Sequence, residues 1–276
     1  MISVLILTLN EEDNLPRCLD ALDWADDVLV VDSFSTDRTV EIAEARGARV
    51  VQRRFDDFAG QRNFGLTEGG LKHEWVLHLD ADEVVPSELR DEMFRVIEDD
   101  SKDAYRVPSK MMLHGRWLRH AGMYPAYQVR LGRREALQFE QVGHGQRETL
   151  PSERVGTLEH AFLHYSFSKG LDDWFEKHNR YSTAEARLAL EEAVSGEMDW
   201  AGLVASDGTR RRRALKKVAA RFPFRPTLRF LYMYVLRRGF LDGAAGYTYC
   251  RLLSMYEAMT VLKIKEQRLR DDGTPL

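Results

Sequence analysis

The sequence predicts an α/β fold with a mostly parallel sheet, followed by a helical extension. Two observations predict the sheet: the apolar runs in residues 1–80 are short and continuous, and amphipathic stretches of helical spacing separate them. Strands of a parallel sheet have uninterrupted apolar runs because helices cover both faces. A third observation predicts the extension, since apolar residues recur at spacings of three and four after Ser166.

The elements of the sheet follow one another in a regular order. Strands are predicted at residues 3–9, 28–31, 48–52 and 75–79, and helices around residues 14–22, 36–45 and 60–68. Asn14 precedes Leu15 and Pro16, which suits a helix N-terminus because the N–H that an early proline lacks is not needed there. Ser35 or Thr36 is expected to cap the second helix.

The second half of the chain changes its pattern twice. Short strands are predicted at residues 105–108 and 128–131, and a last helix at residues 244–268. One face of an earlier helix carries large side chains: Trp174, Phe175, His178, Tyr181 and Leu188. We therefore predict a catalytic α/β domain at residues 1–165 and a helical extension at residues 166–276.

Composition excludes several classes of protein. With 276 residues, 44% of them hydrophobic and 30% charged, the chain can bury a large core, which rules out low-complexity and disordered proteins. Only Cys18 and Cys250 are present, far apart, so we expect neither a disulfide framework nor a structural zinc site, and we expect a reducing compartment. The apolar run at residues 230–236 is too short to span a bilayer.

A basic segment lies at residues 209–241, where eleven basic residues occur and no acidic one. Aromatic side chains such as Phe224, Phe230 and Tyr232 are interleaved with these charges, a pattern typical of a helix that lies on an anionic membrane surface. Nucleic-acid binding would use the same charges, but no nucleic-acid-binding motif accompanies them. A solvated basic face that pairs with the acidic remainder of the chain is the third interpretation.

Ligands of an open parallel sheet bind beyond the carboxyl ends of the strands. Three predicted strands end in polar residues there, at 8–11, 32–33 and 80–83. No Gly-x-Gly-x-x-Gly motif follows the first strand and no Gly-Lys-Ser/Thr loop occurs, which disfavours dinucleotide oxidoreductases and P-loop NTPases. Asp80 and Asp82 can divide the work between a ribose and a hard divalent cation, although a solvated turn would have the same sequence.

Four motifs, in this order and spacing, resemble glycosyltransferase family 2, and within it the bacterial branch of lipopolysaccharide core glucosyltransferases. They are Thr-Leu-Asn-Glu at 8–11, Val-Asp-Ser-Phe-Ser-Thr-Asp at 31–37, Gln-Arg-Asn-Phe-Gly at 61–65 and Asp-Ala-Asp-Glu at 80–83. The resemblance implies a GT-A (nucleotide-diphospho-sugar transferase) fold, inverting transfer, and Mg²⁺ or Mn²⁺ as cofactor.

The resemblance also implies roles for particular residues: Thr8 and Glu11 in the nucleotide pocket, Asp32 at the base, Arg62 at the base or ribose, Asp80 at the ribose and Asp82 at the metal. An ordinary ion pair on a helix surface is the alternative for Arg62. His164 closes an apolar run and is a candidate for the metal or the diphosphate, although a half-buried histidine with satisfied hydrogen bonds would fit the same position. Lys177 and Arg180 are candidates for the diphosphate, although Glu176 and Arg180 also have the spacing of a helical ion pair.

The catalytic base is less clearly marked. Inverting transfer needs a group that accepts the proton of the acceptor hydroxyl, and relatives often supply it from a His-Glu pair. Here Gly145 follows His144. Our candidates are Glu148, then His144, then Glu140, and each of them can equally well make a structural loop contact.

These observations together predict a cytoplasmic inverting glycosyltransferase, peripheral to the inner leaflet of the cytoplasmic membrane. Its expected partners are a nucleotide-sugar donor, with UDP-hexose preferred, a glycan or lipid-linked acceptor of cell-envelope polysaccharide synthesis, and an anionic membrane; no nucleic acid is expected. One alternative is a nucleotide-sugar-binding module without activity, suggested by Gly145. Another is a lipid or nucleic-acid binder that acts through residues 209–241.

Overall fold

The computed structural model of the chain describes residues 1–142, 145–194, 201 and 224–274. The chain folds as two compact units, one of Met1–Trp117 with Met123–Lys169 and one of Leu118–Gly122 with Gly170–Leu276. The second unit thus includes a short segment from the first half of the chain, which the sequence pattern does not indicate. A domain boundary at residue 165 stays a prediction.

The first unit contains a mixed sheet with helices on both faces. Its strands are β1 (Ile2–Thr8), β2 (Val28–Asp32), β3 (Arg49–Gln52), β4 (Trp75–Asp80), β5 (Glu83–Val84), β6 (Ala104–Leu113), β7 (Arg116–Trp117), β8 (Ala126–Arg133), β9 (Phe139–Val142), β10 (Gly145–Glu148), β11 (Val155–Thr157) and β12 (Phe162–His164). Its helices are α1 (Leu15–Asp20), α2 (Thr39–Ala45), α3 (Phe58–Thr67) and α4 (Ser87–Val96). The predicted α/β fold is confirmed.

The order of the strands in the main sheet is β3-β2-β1-β4-β8-β6-β12-β5. The first four of these strands are mutually parallel, whereas β8 runs antiparallel to both β4 and β6. Thr8 of β1 pairs with Asp32 of β2, and Leu7 pairs with Asp80 of β4. The register therefore brings the carboxyl ends of β1, β2 and β4 level with one another at one edge.

The core of this unit lies on both faces of the sheet, because successive side chains of a strand point to opposite sides. Val4 and Ile6 pack with α1 and α4 on one face, while Leu5 packs with α3 on the other. Helix α3 approaches the sheet closely at Gly65. A Cβ atom at Gly65 would lie only 2.6 Å from a methyl carbon of Leu5.

The predicted N-cap position of the first helix is confirmed, whereas the predicted cap of the second helix is wrong. Asn14 does occupy the N-cap position of α1, but its side chain makes no capping hydrogen bond. Helix α2 begins at Thr39, later than predicted, because the Ser35 side chain and backbone bind Asp32 and the Thr36 N–H binds Asn10. The polar residues before α2 therefore bind the strand-end loops instead of the helix.

The second unit is helical in its described part, with α5 (Gly170–Val194), α6 (Arg225–Leu231) and α7 (Gly243–Asp271). A π-helical turn (Tyr232–Leu236) and a 3₁₀ turn (Gly239–Asp242) join the last two helices. The buried carboxylate of Asp242 accepts hydrogen bonds from the N–H groups of His120 and Ala121, which ties the 118–122 segment to this unit. No helix in the described ranges is long and apolar enough to cross a membrane.

Candidate active site

The acidic segment after β4 is held by two buried arginines. Arg62 of α3 donates to Asp80 Oδ1 at 2.7 Å, and Arg130 of β8 donates to Asp80 Oδ2 at 2.7 Å and to Glu83 Oε1 at 2.6 Å. The Asp80 N–H donates to Glu83 Oε2 at 2.9 Å. Arg62 is buried, so its alternative role in a surface ion pair is wrong. The segment is therefore fixed in place before any ligand arrives.

Arg130 reaches this segment because of a β-bulge. Tyr105 of β6 pairs with Leu131 of β8, but Arg106 pairs with Val129, which leaves Arg130 as an extra residue on β8. Bulges re-aim a side chain out of the regular alternation and are common beside active sites. Arg130 was not among the predicted site residues, and its signal is an arginine inside the short strand predicted at 128–131.

The two arginines determine the charge state of the segment. Burial raises the pKa of Asp80, but the nearby charges of Arg130 and Arg62 outweigh it and hold that pKa well below its usual range. Burial raises the pKa of Glu83. Burial lowers the pKa of Arg62 to about 10, so its guanidinium stays charged at neutral pH. Asp80 thus stays a carboxylate, with 36% of its side chain exposed.

Behind this segment, His78 of β4 lies fully buried. Neither of its ring nitrogens has a hydrogen-bond partner, and its ring meets that of Phe139 edge to face at 5.2 Å. Burial, together with the charges of Arg62 and Arg130, holds the pKa of His78 well below its usual range. A neutral imidazole therefore supports the site from within the core.

Asp82 and His164 form the part of the site that can hold a cation. The Asp82 Oδ2 and His164 Nε2 atoms are 3.2 Å apart, and both side chains are partly exposed. The Tyr165 N–H donates to the Asp82 carbonyl at 2.9 Å, which fixes β12 beside the acidic segment. Burial would lower the pKa of His164, but the carboxylate of Asp82 raises it to about 9.

The donor set fits a divalent cation that keeps open positions. Within the described part of the chain, no group of three or more His, Cys, Asp and Glu side chains could hold a metal ion. A carboxylate and an imidazole nevertheless suit Mn²⁺, and Mg²⁺ is commonly held by one or two carboxylates while phosphate oxygens and water complete the shell. Asp82 and His164 would hold the ion once the proton that Asp82 stabilises on His164 has left, because only a neutral imidazole has a lone pair for a metal. A diphosphate would supply further oxygens.

Asp32 lies inside the sheet edge and not on its surface. Its fully buried carboxylate accepts hydrogen bonds from the Thr8 hydroxyl at 2.9 Å, the Gln52 amide at 3.1 Å, and both the backbone N–H and the hydroxyl of Ser35. These bonds hold the 33–35 turn against β1 and β3. Direct contact between Asp32 and a base, which stays a prediction, requires one of these donors to leave.

A second ion pair lies at the end of β1. Lys169 donates to Glu11 Oε1 at 2.6 Å and to the Leu9 carbonyl at 3.2 Å, and Asn14 donates to Glu11 Oε2 at 2.8 Å. Burial raises the pKa of Glu11, while the hydrogen bonds from Asn14 and Lys169 lower it; burial dominates. The sequence analysis missed Lys169, whose only signal was its place five residues after His164.

The segment between His164 and Lys169 also contacts α1. The Arg17 guanidinium lies 3.8 Å from the centre of the Tyr165 ring, a cation–π arrangement, and Arg17 donates to Asn14 at 3.0 Å. The segment from 164 to 169 therefore binds the ends of β1 and β4 together, and it brings Glu11 and Asp82 into one electrostatic neighbourhood.

The base candidates occupy the β9–β10 hairpin or lie outside the described residues. Glu148 faces Phe139 across the hairpin, and its Oε1 lies 3.8 Å from Arg106 Nη2. Glu140 is exposed and faces Arg147. His144 lies outside the described residues. These contacts involve no residue of the 80–83 segment, so the catalytic base stays a prediction.

The hairpin is nevertheless docked on the helix that carries Arg62. The Asn63 side chain donates to the Phe139 carbonyl at 2.8 Å and accepts from the Phe139 N–H at 2.9 Å. Neighbouring residues of α3 therefore contact two different strands, because Arg62 binds Asp80 of β4 and Asn63 binds Phe139 of β9. Lys177 and Arg180 lie on α5 in the second unit, and their contact with a diphosphate stays a prediction.

The class of this protein follows from its similarity to a known family. The family model described as "Glycosyl transferase family 2" matches residues 3–140, which is half of the chain. The chain belongs to glycosyltransferase family 2, and its α/β sheet with a helical C-terminal region is the GT-A architecture that the resemblance implies.

Similar curated proteins cover different shares of the chain. The lipopolysaccharide core biosynthesis glycosyltransferase LpsC of Rhizobium meliloti (strain 1021) is 24% identical over 272 residues, 96% of this chain and 92% of that protein. An uncharacterized glycosyltransferase of Rickettsia bellii is 29% identical over 218 residues, 72% and 73% of the two chains. One from Rickettsia conorii is 40% identical over 105 residues, 38% of this chain and 36% of that protein.

Two solved structures are also similar. Glucosyl-3-phosphoglycerate synthase from Mycobacterium tuberculosis has 20% identity and a TM-score of 0.48, with 68% of this chain and 78% of that chain covered. S. aureus TarS 1-349 has 16% identity and a TM-score of 0.46, with 99% and 92% covered.

Proposed function

We propose that this family 2 glycosyltransferase is a metal-dependent inverting enzyme that transfers a hexose from a nucleotide-diphosphate sugar, preferably a UDP-sugar. The acceptor is a hydroxyl of a glycan or lipid-linked glycan of the cell envelope. One observation carries the proposal. Asp82 and His164 form a partly exposed pair beside Asp80, which two buried arginines hold as a carboxylate at the edge where sheets of this kind bind ligands.

The residues of the acidic segment divide the binding of the donor. The exposed part of the Asp80 carboxylate would accept hydrogen bonds from ribose hydroxyls, and Asp82 with His164 would hold Mg²⁺ or Mn²⁺. When bound, the ion neutralises charge on the diphosphate. Lys169 adds a positive charge nearby. Because leaving-group charge increases in the transition state, charges fixed in advance stabilise it more than they stabilise the bound donor.

The transfer itself is a single displacement. The acceptor oxygen forms a bond to the anomeric carbon, the bond from that carbon to the phosphate oxygen breaks, and the hydroxyl proton goes to a base on the acceptor side. Glu148 is our first candidate for that base, with His144 and Glu140 after it. Arg106 Nη2 of β6 lies 3.8 Å from Glu148 Oε1 of the hairpin.

One similar protein supports the acceptor, and the state of the two cysteines supports the location. LpsC, whose name places it in lipopolysaccharide core biosynthesis, is similar to this protein over most of both chains. A lipid-linked acceptor would bring the enzyme to the inner leaflet of the cytoplasmic membrane. Cys18 and Cys250 are both free and buried, which agrees with a reducing compartment such as the cytoplasm.

A donor screen followed by a turnover assay tests this function. A panel of nucleotide sugars is scored by thermal stabilisation with and without Mn²⁺, and a ligand at 100 times its Kd should add about 2.7 kcal/mol. Positive donors then enter a transfer or donor-hydrolysis assay with Asp82→Asn, and with Asp91→Asn in an exposed ion pair as control. Full activity of Asp82→Asn refutes the metal site, and donor binding without any turnover supports the inactive binding module instead.

A further inference from the structure

The helix and turn at residues 224–236 carry an apolar stripe that faces solvent. Phe224, Leu228, Leu231 and Val235 follow one another at spacings of four, three and four residues, which places them on one helix face. Their exposed fractions lie between 47% and 69%. We call these four residues the exposed stripe. An amphipathic helix of a globular protein usually turns such a stripe inward.

The same segment already has a separate inward face. Met233 is fully buried with Cys250, and Phe230 and Tyr234 pack against that cluster. Phe230 and Tyr234 also stack on each other, with ring centres 5.2 Å apart. Among the described residues of the second unit, the packing of this segment on α7 therefore does not use the exposed stripe.

The apolar surface continues past the helix. Leu236, Phe240 and Leu241 are exposed to 74%, 48% and 55% in the turns that follow. Single exposed apolar residues are ordinary on soluble proteins, but contiguous ones mark an interaction surface. The exposed stripe and these three residues all lie within residues 224–241, so seven of these eighteen residues are exposed apolar side chains that belong to the stripe or follow it.

Every charged side chain within residues 224–241 is an arginine, and one of them, Arg225, pairs with Glu257 of α7 at 2.9 Å. Arg237 and Arg238 are exposed between Leu236 and Phe240, and residues 209–241 include no acidic residue at all. The next acidic residue, Asp242, is buried, and its carboxylate binds His120 and Ala121. Residues 209–223, which hold most of the basic segment, lie outside the described residues. A partner of this surface must therefore accept apolar side chains and positive charge together.

We propose that residues 224–241 bind the surface of an anionic lipid bilayer, with the exposed stripe and Leu236 in the headgroup and acyl boundary and Arg237 and Arg238 at the phosphates. Interfacial helices combine these two features, whereas a spanning helix needs about 20 apolar residues. This inference rests on the membrane association in the proposed function. It adds which residues contact the membrane and that the lipids are anionic.

Two other occupants fit the surface less well. A second copy of the chain would bury the stripe but would also bring two arginine-rich segments together, which costs free energy. A nucleic acid would pair with the arginines but would leave the apolar side chains without a partner. The bilayer alone accepts both features.

Vesicle binding tests the inference directly. The full chain is sedimented with phosphatidylcholine vesicles and with vesicles that also contain phosphatidylglycerol, at low and at physiological salt. We expect binding to the anionic vesicles only, and a decrease with salt. Leu231→Ser/Leu236→Ser should lower the partition coefficient at least tenfold, and Arg237→Gln/Arg238→Gln about fivefold per charge. Leu262→Ser, at an equally exposed apolar site of α7, is the matched control and should change it less than twofold.

The outcomes separate this inference from its rivals and from the proposed function. Equal binding to neutral vesicles, unchanged binding of both double variants, or a dimer that only the leucine variant dissociates would overturn it. The Tm of each variant should stay within about 3 °C of the wild-type Tm, which shows that a loss of binding is not caused by a loss of folding. If transfer to a soluble acceptor fails while vesicle binding follows these expectations, the surface stands and the enzymatic proposal falls.

Discussion

Replacing Arg130 by Met should lower the stability of the first unit more than removing an exposed charge would. The Arg130 side chain is 4% exposed and joins Asp80 to the fully buried Glu83. Met keeps the apolar length of the side chain, so the substitution removes the charge and the hydrogen bonds while leaving most of the packing. The result measures how strongly the bulged arginine holds the acidic segment.

The expected cost comes mainly from Glu83. Without Arg130 its carboxylate keeps one donor, the Asp80 N–H, and has no opposite charge in contact, while Asp80 is partly exposed and still pairs with Arg62. Removing one partner of a buried ion pair typically costs 3–5 kcal/mol, and the remaining contacts place this case at about 3 kcal/mol. For a unit of this size that corresponds to a fall in Tm of about 6–12 °C.

Urea and thermal unfolding measure this cost, followed by tryptophan fluorescence. Arg90→Met in α4 is the control, because Arg90 pairs only with the exposed Asp91 among the described contacts and the loss should stay below about 1 kcal/mol. Adding Glu83→Gln to Arg130→Met should recover part of the loss, since a neutral amide tolerates burial better than a carboxylate. Equal stability of the two arginine variants would refute the assignment, as would a double variant less stable than Arg130→Met.

Three further predictions concern the donor site and the packing of α3. Asp82→Asn should lower kcat/KM by about 100-fold or more without a comparable change in Tm, and EDTA should abolish activity that Mn²⁺ restores; EDTA-resistant transfer would contradict the cation site. Lys169→Met should raise the donor KM and lower kcat/KM about tenfold, with Lys169→Arg closer to the wild type, and unchanged steady-state kinetics would remove Lys169 from the donor site. Gly69→Ala should destabilise by roughly 1–3 kcal/mol in urea, because its Cβ would lie 2.2 Å from Leu29 Cδ2 and 2.4 Å from the Gly65 carbonyl, and a stability equal to the wild type would refute this packing.

Local sequence was sufficient to place the acidic residues of the site. Asp32 and Asp80 each terminate an apolar run, and the register of β1 with β2 and β4 brings both runs to the same edge. The same reasoning could not show that Asp32 is buried beneath four donors. That arrangement depends on Gln52 and Ser35 as well as on Thr8, and these contacts exist only once the loops are folded.

The contact of Arg130 with the acidic segment could not be predicted from the sequence, for a different reason. Arg130 lies 50 residues from Asp80 along the chain and reaches it only because β8 contains one residue more than its partner β6 at that point. A bulge changes the face on which a side chain lies, so a period-two pattern cannot predict its direction. Lys169 likewise contacts Glu11 across 158 residues of chain.

The amino-acid sequence by itself determined the α/β class, the order of the first strands and helices, the family, and the position of the acidic motifs. These features depend on periodicity and on short motifs, which act over a few residues. Only the tertiary structure decided which charges meet: Arg130 with Asp80 and Glu83, Lys169 with Glu11, and His164 with Asp82. Those pairs depend on strand register and on a bulge, because a shift of one residue in a strand moves every side chain to the opposite face.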